Sequence, residues 1–163
     1  MFEGPIRHAL HKLKYRRNVT LGDALAGHLN GYVRQLGWPI DLVIPVPLGR
    51  QRMKERGYNQ IGLVALPMAV MSNWSYSSRA LVRARETRSQ VGLTAAERKT
   101  NVSGAFSADS RCVSGRTILL MDDVATTGAT LSAAASALLD GGARAVYGLT
   151  IARALPHHGL QQV

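Results

Sequence analysis

The sequence predicts an α/β domain with a mostly parallel sheet and helices on both of its faces. The clearest signal lies in the C-terminal third, where apolar runs over 117–121 and 145–151 flank an alanine- and leucine-rich helical segment over 129–139 that stops at Gly141. A strand, a helix and a strand within about 35 residues form a βαβ unit, whose strands lie parallel. With 163 residues, 46% of them hydrophobic, the chain is long enough and apolar enough for one compact domain.

The remaining elements follow from periodicity and turn residues. Three segments carry apolar residues at helical spacing: 6–14, 20–36 and 59–71. Two short apolar segments predict strands: 41–47, which is closed by prolines and leads into a loop, and 80–84. Pro67 stands inside the third helical segment, so we expect a break or a kink near Leu66. Residues 94–97 have the form of a capping box, which predicts the start of another helix.

The charge balance is strongly basic. Twenty Lys and Arg against ten Asp and Glu give a net charge of +10. The excess lies in two stretches, +5 over 7–17 and +7 over 50–99, whereas the rest of the chain is slightly acidic. Such a balance favours phosphate-bearing ligands, nucleic acid or an acidic membrane surface as partners.

Cysteine content and hydropathy argue against a disulfide-bonded, secreted or membrane-spanning protein. Cys112 is the only cysteine, which excludes an internal disulfide and a zinc site of several cysteines. Residues 1–10 lack the apolar core of a signal peptide, and no stretch approaches the roughly 20 apolar residues that cross a bilayer. We therefore expect a cytoplasmic protein without membrane insertion. Its single domain, 1–163, would consist of an N-terminal helical segment, 1–37, and a core, 38–155.

The segment 118–130, Ile-Leu-Leu-Met-Asp-Asp-Val-Ala-Thr-Thr-Gly-Ala-Thr, joins a strand to a helix through a hydroxyl-rich loop. Backbone N–H groups, threonine hydroxyls and the helix dipole would all favour an anion in that loop. The predicted phosphate-binding residues are Ala125, Thr126, Thr127, Gly128, Ala129 and Thr130. Asp122 and Asp123 repel phosphate but suit sugar hydroxyls or Mg²⁺. The combination predicts a ribose 5-phosphate site, with an acidic turn and a threonine cap as the alternative.

Basic residues crowd two further segments. Four come directly after the strand over 41–47: Arg50, Arg52, Lys54 and Arg56. Arginine there suits the bidentate binding of phosphate oxygens. A second group combines basic and polar residues: Arg83, Arg85, Thr87, Arg88, Gln90, Arg98 and Lys99. We expect this group to form a mobile loop that closes over the ligand. Solvated surface charge is the alternative for each residue.

The segment 118–130 is similar, at every class of position, to the 13-residue phosphoribosyl pyrophosphate (PRPP) motif of type I phosphoribosyltransferases. Further blocks resemble the ComF/GntX branch of that superfamily: Leu13-Lys-Tyr15, Pro45-Val-Pro-Leu48, Arg56-Gly-Tyr-Asn-Gln60, Arg85-Glu-Thr87, Glu97-Arg98 and Gly104-Ala-Phe106. The resemblance therefore extends over most of residues 4–153.

This resemblance implies a Rossmann-like core with a flexible loop over its site. It implies that Asp122 and Asp123 contact the ribose hydroxyls, directly or through Mg²⁺, and that residues 125–130 hold the 5-phosphate. The corresponding pyrophosphate loop comprises Pro47, Leu48, Gly49, Arg50, Arg52 and Arg56, and the flexible loop includes Arg85, Thr87, Gln90 and Arg98. Members of the family usually begin with a zinc-binding region of four cysteines, which this sequence lacks. The expected cofactor is therefore Mg²⁺ with PRPP, and no zinc.

Three functions remain open on the sequence. The resemblance implies a role in DNA uptake or DNA utilisation, through single-stranded DNA and proteins of the competence machinery. A second function is an active phosphoribosyltransferase that joins PRPP to a base or an amine and releases pyrophosphate, although no catalytic residue can be identified for it. The third is PRPP binding without catalysis, as a signal that tunes the binding of DNA or of a partner.

Overall fold

The computed structural model describes residues 4–85, 97 and 104–153, with a four-stranded parallel sheet at the centre. The helices are α1 (Pro5–Arg16), α2 (Val19–Gln35), α3 (Arg50–Arg56), α4 (Gly62–Ser72), α5 (Ser110–Val113) and α6 (Ala129–Asp140). The strands are β1 (Leu42–Pro45), β2 (Ser75–Tyr76), β3 (Leu81–Arg83), β4 (Phe106–Ala108), β5 (Thr117–Ala125) and β6 (Ala145–Arg153). The central sheet has the order β2-β1-β5-β6, whereas β3 and β4 pair antiparallel in a separate sheet.

Alternate side chains of the central strands fill two cores, one on each face of the sheet. On one face Val43 and Leu119 pack under α1, α2 and α4. On the other face Ile44 and Leu120 pack against α5, α6 and the β3–β4 pair. Strands that are buried on both faces need continuous apolar runs, which is the pattern that predicted them. The predicted fold class, a parallel sheet with helices on both faces, is confirmed.

The strands around the aspartate pair are longer than predicted. β5 continues past Met121 to Ala125, and β6 continues to Arg153. Asp122 pairs with Thr150 and Ala125 with Arg153, so the ladder runs through the two aspartates. Backbone pairing does not depend on apolar side chains, and it therefore carries β5 beyond the apolar run. Ala125, predicted in the phosphate loop, lies at the end of the strand instead.

Other segments also differ from the prediction. The stretch after β1 forms the short helix α3, where a loop was expected. The strand predicted over 80–84 is confirmed as β3, and its antiparallel pairing with β4 outside the parallel sheet was not part of the prediction. The predicted capping box over 94–97 lies outside the described residues except for Glu97.

Of the predicted break or kink near Leu66, the break does not occur, because α4 runs through Pro67 as one helix, and the kink stays a prediction. Proline lacks the N–H that would bond to the carbonyl of Leu63, four residues earlier. A Cβ built on Gly22 of α2 would lie only 2.5 Å from that carbonyl oxygen. Since Gly22 has no side chain, α2 can pack directly against the carbonyl that Pro67 leaves without its helical partner.

The N-terminal helix α1 is attached to the domain by two apolar side chains. Leu10 and Leu13 are fully buried in the core shared with α2 and α4, whereas most other side chains of α1 are exposed. In the described part of the chain, none of the helices has both the length and the apolar character needed to cross a membrane.

Candidate functional site

The two aspartates of segment 118–130 lie near the carboxyl end of β5, the edge where ligands bind in parallel sheets. β1 ends at the same edge, because Pro45 pairs with Met121 and the Val46 N–H donates to the Met121 carbonyl oxygen at 2.8 Å. The connections that follow β1 and β5 therefore flank the aspartate pair.

Asp123 is held by two donors from distant parts of the chain. Lys14 Nζ lies 2.7 Å from Asp123 Oδ2, and Gln60 Nε2 donates to the same oxygen at 2.9 Å. Only 13% of the Asp123 side chain is exposed. Burial by itself raises the pKa of this carboxyl, but the charge of Lys14 and the hydrogen bonds outweigh burial and lower the pKa. Asp123 is therefore ionised at neutral pH.

Asp122 has the opposite electrostatic character. Burial and the charge of Asp123 raise the pKa of Asp122 to about 7, against the opposing charges of Lys14 and Arg83. Its Oδ1 accepts a hydrogen bond from the Asp123 N–H at 2.8 Å. The Asp123 carboxylate also accepts a hydrogen bond from the Val124 N–H, which helps to lower its pKa. The side-chain donors Lys14 and Gln60 thus meet Oδ2 of Asp123, and a carboxylate oxygen has room for a further hydrogen bond from a ligand.

The segment Arg56–Gln60 surrounds Asp123 with a hydrogen-bond network. Gln60 is 4% exposed, and its Oε1 accepts from Arg56 Nη1 at 2.8 Å. Asn59 Nδ2 donates to the Val46 carbonyl oxygen at 2.9 Å, which attaches the segment to the end of β1. The segment therefore connects the loop after β1 with the aspartates of β5.

The Tyr58 hydroxyl attaches the same segment to α1. It donates to the Leu13 carbonyl oxygen at 2.6 Å and accepts from the Arg17 N–H at 2.9 Å. Arg17 ends α1 in a left-handed conformation, with φ 44°. The last carbonyls of a helix have no intrahelical donor, so a hydroxyl in this position stabilises the helix end. Lys14 therefore stands on a helix whose last turn is fixed next to Asp123.

The predicted phosphate loop is the connection between β5 and α6. Gly128 has φ 77°, a left-handed conformation that favours glycine, and α6 starts at the next residue. Thr127 Oγ1 accepts from the Ala129 N–H at 3.3 Å, and Thr126 and Thr127 are exposed. Thr130 lies in the first turn of α6, where the helix dipole is positive. These features suit an anion, and phosphate binding by these residues stays a prediction.

The residues predicted to bind pyrophosphate fall into two groups. The half-buried ones lead from β1 into α3: Pro47, Leu48 and Gly49. The arginines lie on α3, where Arg50 and Arg52 are exposed. Arg56 is half-buried, because it bonds to Gln60 and lies 5.5 Å from the centre of the Tyr15 ring. Arg56 thus takes part in the network around Asp123, and its binding of pyrophosphate stays a prediction.

Two residues of the group predicted to form the flexible loop can be placed, and one of them, Arg83, lies on the strand β3 instead. Arg85 is exposed just after β3, whereas Thr87, Gln90 and Arg98 lie outside the described residues. The guanidinium of the neighbouring Arg83 lies 4.9 Å from the centre of the Phe106 ring. The positive charge of Arg83 favours the ionised form of Asp122 and so lowers its pKa, against the larger effect of burial. Arg83, at the end of β3, is therefore close enough for its charge to act on Asp122.

The site fits Mg²⁺ only if a ligand supplies further oxygens. Among residues 4–85, 97 and 104–153, no three His, Cys, Asp or Glu side chains are grouped to hold a metal ion. Asp122 and Asp123 supply two carboxylates, and Mg²⁺ is commonly bound by one or two carboxylates together with substrate phosphates. Mg²⁺ held through a bound phosphate compound therefore stays a prediction.

Sequence reasoning missed the contacts of Lys14, Tyr58 and Gln60. All three stand in the blocks that carried the family resemblance, which was the available signal. Their contacts join residues that are far apart in sequence, such as 41 positions for Arg17 and Tyr58 and 63 for Gln60 and Asp123. Local periodicity contains no information on such pairs.

Comparison with known proteins finds relatives over nearly the whole chain, although no family model matches it. The DNA utilization protein YhgH of Escherichia coli is 35% identical over 156 residues, which cover 93% of this chain and 68% of that protein. Competence protein F of Haemophilus influenzae is 32% identical over 136 residues, covering 78% of this chain and 59% of that protein. Competence protein ComFC of Bacillus subtilis is 33% identical over 151 residues, which cover 91% of this chain and 60% of that protein.

Among solved structures, the chain is similar to the glutamine PRPP amidotransferase from B. subtilis complexed with ADP and GMP. The TM-score is 0.52 at 21% identity, over 86% of this chain and 26% of that chain. An allosteric regulatory enzyme of purine biosynthesis has the same TM-score at 20% identity, over 80% of this chain and 26% of that chain. The chain thus spans about a quarter of these enzymes, and at such identities the likeness shows the fold.

Proposed function

This chain belongs to the ComF/GntX family of DNA utilization and competence proteins, and we propose that it binds the ribose 5-phosphate portion of PRPP or of a related metabolite. It has the type I phosphoribosyltransferase fold that the resemblance implied. Both are premises for the proposal, whereas the ligand itself is inferred from the chemistry of the site.

One observation carries the proposal: the aspartate pair of β5 lies directly before a loop suited to an anion. The carboxylate oxygens of Asp122 and Asp123 can accept hydrogen bonds from sugar hydroxyls beside the contacts that they make within the protein. The loop that follows contains two exposed threonines and the left-handed Gly128 at the start of α6. Hydroxyl acceptors beside a phosphate-binding helix start are complementary to a sugar phosphate. Mg²⁺ bound through the ligand would be shared by the aspartates and the phosphate oxygens.

Calorimetric titration with PRPP and with ribose 5-phosphate, each with and without Mg²⁺, tests this proposal. We expect saturable binding that Asp123→Asn weakens about tenfold or more, because a charged acceptor for the hydroxyls is lost. Asp140→Asn is the matched control, since it removes an exposed carboxylate from the far end of α6. Absence of binding by the unaltered protein would contradict the proposal.

Turnover is a separate question from binding. Release of pyrophosphate from PRPP and Mg²⁺ in the presence of a panel of bases and amines would identify a phosphoribosyltransferase. Binding of PRPP without such release would instead favour a protein that uses PRPP as a signal.

A second candidate function, binding of single-stranded DNA, is favoured by a basic surface beside the site. We define the basic face as exposed residues at the end of α1 and on α3, two helices that meet where Arg56 contacts Tyr15: Tyr15, Arg16, Arg17 and Arg52. The Arg56 guanidinium lies over the Tyr15 ring, and 63% of Tyr15 is exposed. An exposed aromatic ring among arginines provides both stacking and phosphate neutralisation, which single strands require.

Titration of a labelled oligonucleotide at several salt concentrations tests the basic face. We expect the affinity to fall by roughly 0.7 log units per tenfold increase in salt for each neutralised phosphate. Arg16→Ala with Arg52→Ala should reduce that slope, whereas Arg116→Ala, an exposed arginine at the opposite end of the sheet, should leave it unchanged. Equal loss in both variants, or no binding at low salt, would contradict this candidate.

A further inference from the structure

We propose that Lys14 of α1 is a positioning residue of the ribose site: together with Gln60 it holds one oxygen of Asp123, so that the other oxygen is presented to a sugar hydroxyl. The inference rests on the proposed function, since it assumes that the aspartate pair binds ribose. Lys14 lies on α1, outside the PRPP motif of residues 118–130, so the inference adds a residue from a distant part of the chain to the site.

The geometry around Asp123 supports this role. Lys14 Nζ and Gln60 Nε2 lie 2.7 Å and 2.9 Å from the same atom, Oδ2. Two donors on one oxygen oppose rotation of the carboxylate, because rotation would break both contacts. Charge-assisted hydrogen bonds of this kind are stronger than neutral ones. Asp123 therefore keeps Oδ1 in one orientation before any ligand binds.

Both donors are themselves fixed by the surrounding structure. The Gln60 amide has one possible orientation, because its oxygen accepts from Arg56 and its nitrogen must then face the carboxylate, which accepts only. Lys14 stands on α1, whose last turn is held by the buried Leu13 and by the Tyr58 hydroxyl. Loss of Lys14 would therefore leave the Asp123 carboxylate with neutral donors, the Gln60 amide and the Val124 N–H.

The balance of charge also requires a cation at this place. Asp122 and Asp123 are neighbours on one strand end, and two carboxylates that close repel each other. Lys14 is the cation in direct contact with Asp123, while Arg83 acts on Asp122 from β3. With 26% of its side chain exposed, Lys14 is screened from water more than a surface lysine is. Lys14 therefore offsets part of the repulsion and favours the charged form of Asp123, which accepts hydrogen bonds from hydroxyl groups.

Three probes separate this role from a merely structural one: ribose 5-phosphate, 2-deoxyribose 5-phosphate and inorganic phosphate. We expect the unaltered protein to bind ribose 5-phosphate more tightly than the deoxy compound. Lys14→Met should weaken the binding of ribose 5-phosphate about tenfold and reduce the preference for it over the deoxy compound. Losses of this size are typical when a residue that orients a binding group is removed. Binding of inorganic phosphate should not change, and Lys14→Arg should restore most of the affinity. Lys12→Met, an exposed lysine on the same helix, is the matched control.

The outcomes are distinguishable. Binding of ribose 5-phosphate that Lys14→Met leaves unchanged would overturn this inference and leave the proposed function standing. No binding by the unaltered protein would overturn both. Equal weakening of all three probes would assign Lys14 to the stability of the fold and so overturn the inference too. If Lys14→Met does not fold, Lys14→Gln can be tested with the same three probes, because it keeps an N–H donor on a long side chain. We then expect a smaller loss of affinity for ribose 5-phosphate than with methionine.

Discussion

Replacing Asp122 by asparagine should stabilise the protein at neutral pH. Burial and the charge of Asp123 raise the pKa of Asp122 from 3.8 to about 7 in the folded state. Because the folded-state pKa lies above the unfolded one, the stability that this carboxyl contributes is complete below about pH 4 and is lost as the pH rises through about 7. Asparagine stays neutral over that range, so its advantage over aspartate grows with pH.

The size of the effect follows from the same pKa. Each pH unit inside the window corresponds to about 1.4 kcal/mol of unfolding free energy. Between pH 5 and the folded-state pKa this amounts to at most about 3 kcal/mol. Asp122 is only half-buried, so solvent screening lowers that ceiling. We expect the gain from Asp122→Asn to be about 1–2 kcal/mol larger at pH 8 than at pH 5.

Urea unfolding at pH 5, 6, 7 and 8, followed by circular dichroism, measures this gain directly. The asparagine oxygen can still accept from the Asp123 N–H, so the local hydrogen bond is retained. Asp23→Asn removes an exposed carboxylate by the same chemical change and reports any pH dependence that is not specific to Asp122. A gain that is equal at pH 5 and pH 8 would refute the electrostatic account of Asp122.

Two predictions concern the helices that support the site. Gly22→Ala should lower the unfolding free energy by about 1–3 kcal/mol, because the new Cβ would collide with a carbonyl of α4. Gly27→Ala, on the same helix with open space around it, should raise that free energy by about 0.5–1 kcal/mol, and equal effects in urea unfolding would contradict the close packing. Tyr58→Phe should cost about 1–2 kcal/mol and speed amide exchange in the last turn of α1, since it removes both hydrogen bonds of the hydroxyl. Unchanged exchange there would show that the hydroxyl does not hold α1.

The parallel sheet could be predicted because its physical cause is local. A strand such as β5, covered on both faces, must be apolar at every position, and a run of this kind is visible in the sequence. The same rule placed the end of β5 too early, because Asp122 and Asp123 are polar and yet the ladder continues past them to Ala125. Polarity marks where the side chains reach the site, whereas backbone pairing decides where the strand ends.

The helix through Pro67 and the contacts of Lys14 could not be predicted, for a related reason. Proline interrupts hydrogen bonding within a helix, but whether the helix breaks depends on what covers the freed carbonyl, and here Gly22 of another helix approaches it. Likewise, the pairing of Lys14 with Asp123 depends on how α1 is placed by Tyr58, a tertiary contact. The residues next to Lys14 in the sequence do not specify that its partner is Asp123.

The attachment of α1 also has a consequence for biosynthesis. The hydrogen-bonding and charged partners of the last turn of this helix come later in the chain: Tyr58 and Asp123. On the ribosome α1 therefore emerges before its partners, with Leu10 and Leu13 still in water, and it must wait until β5 is complete. A helix with only two large buried side chains and a basic surface presents little apolar area to other nascent chains during that delay. The proposed ribose site is thus among the last parts of the molecule to assemble, and a chain interrupted before β5 cannot form it.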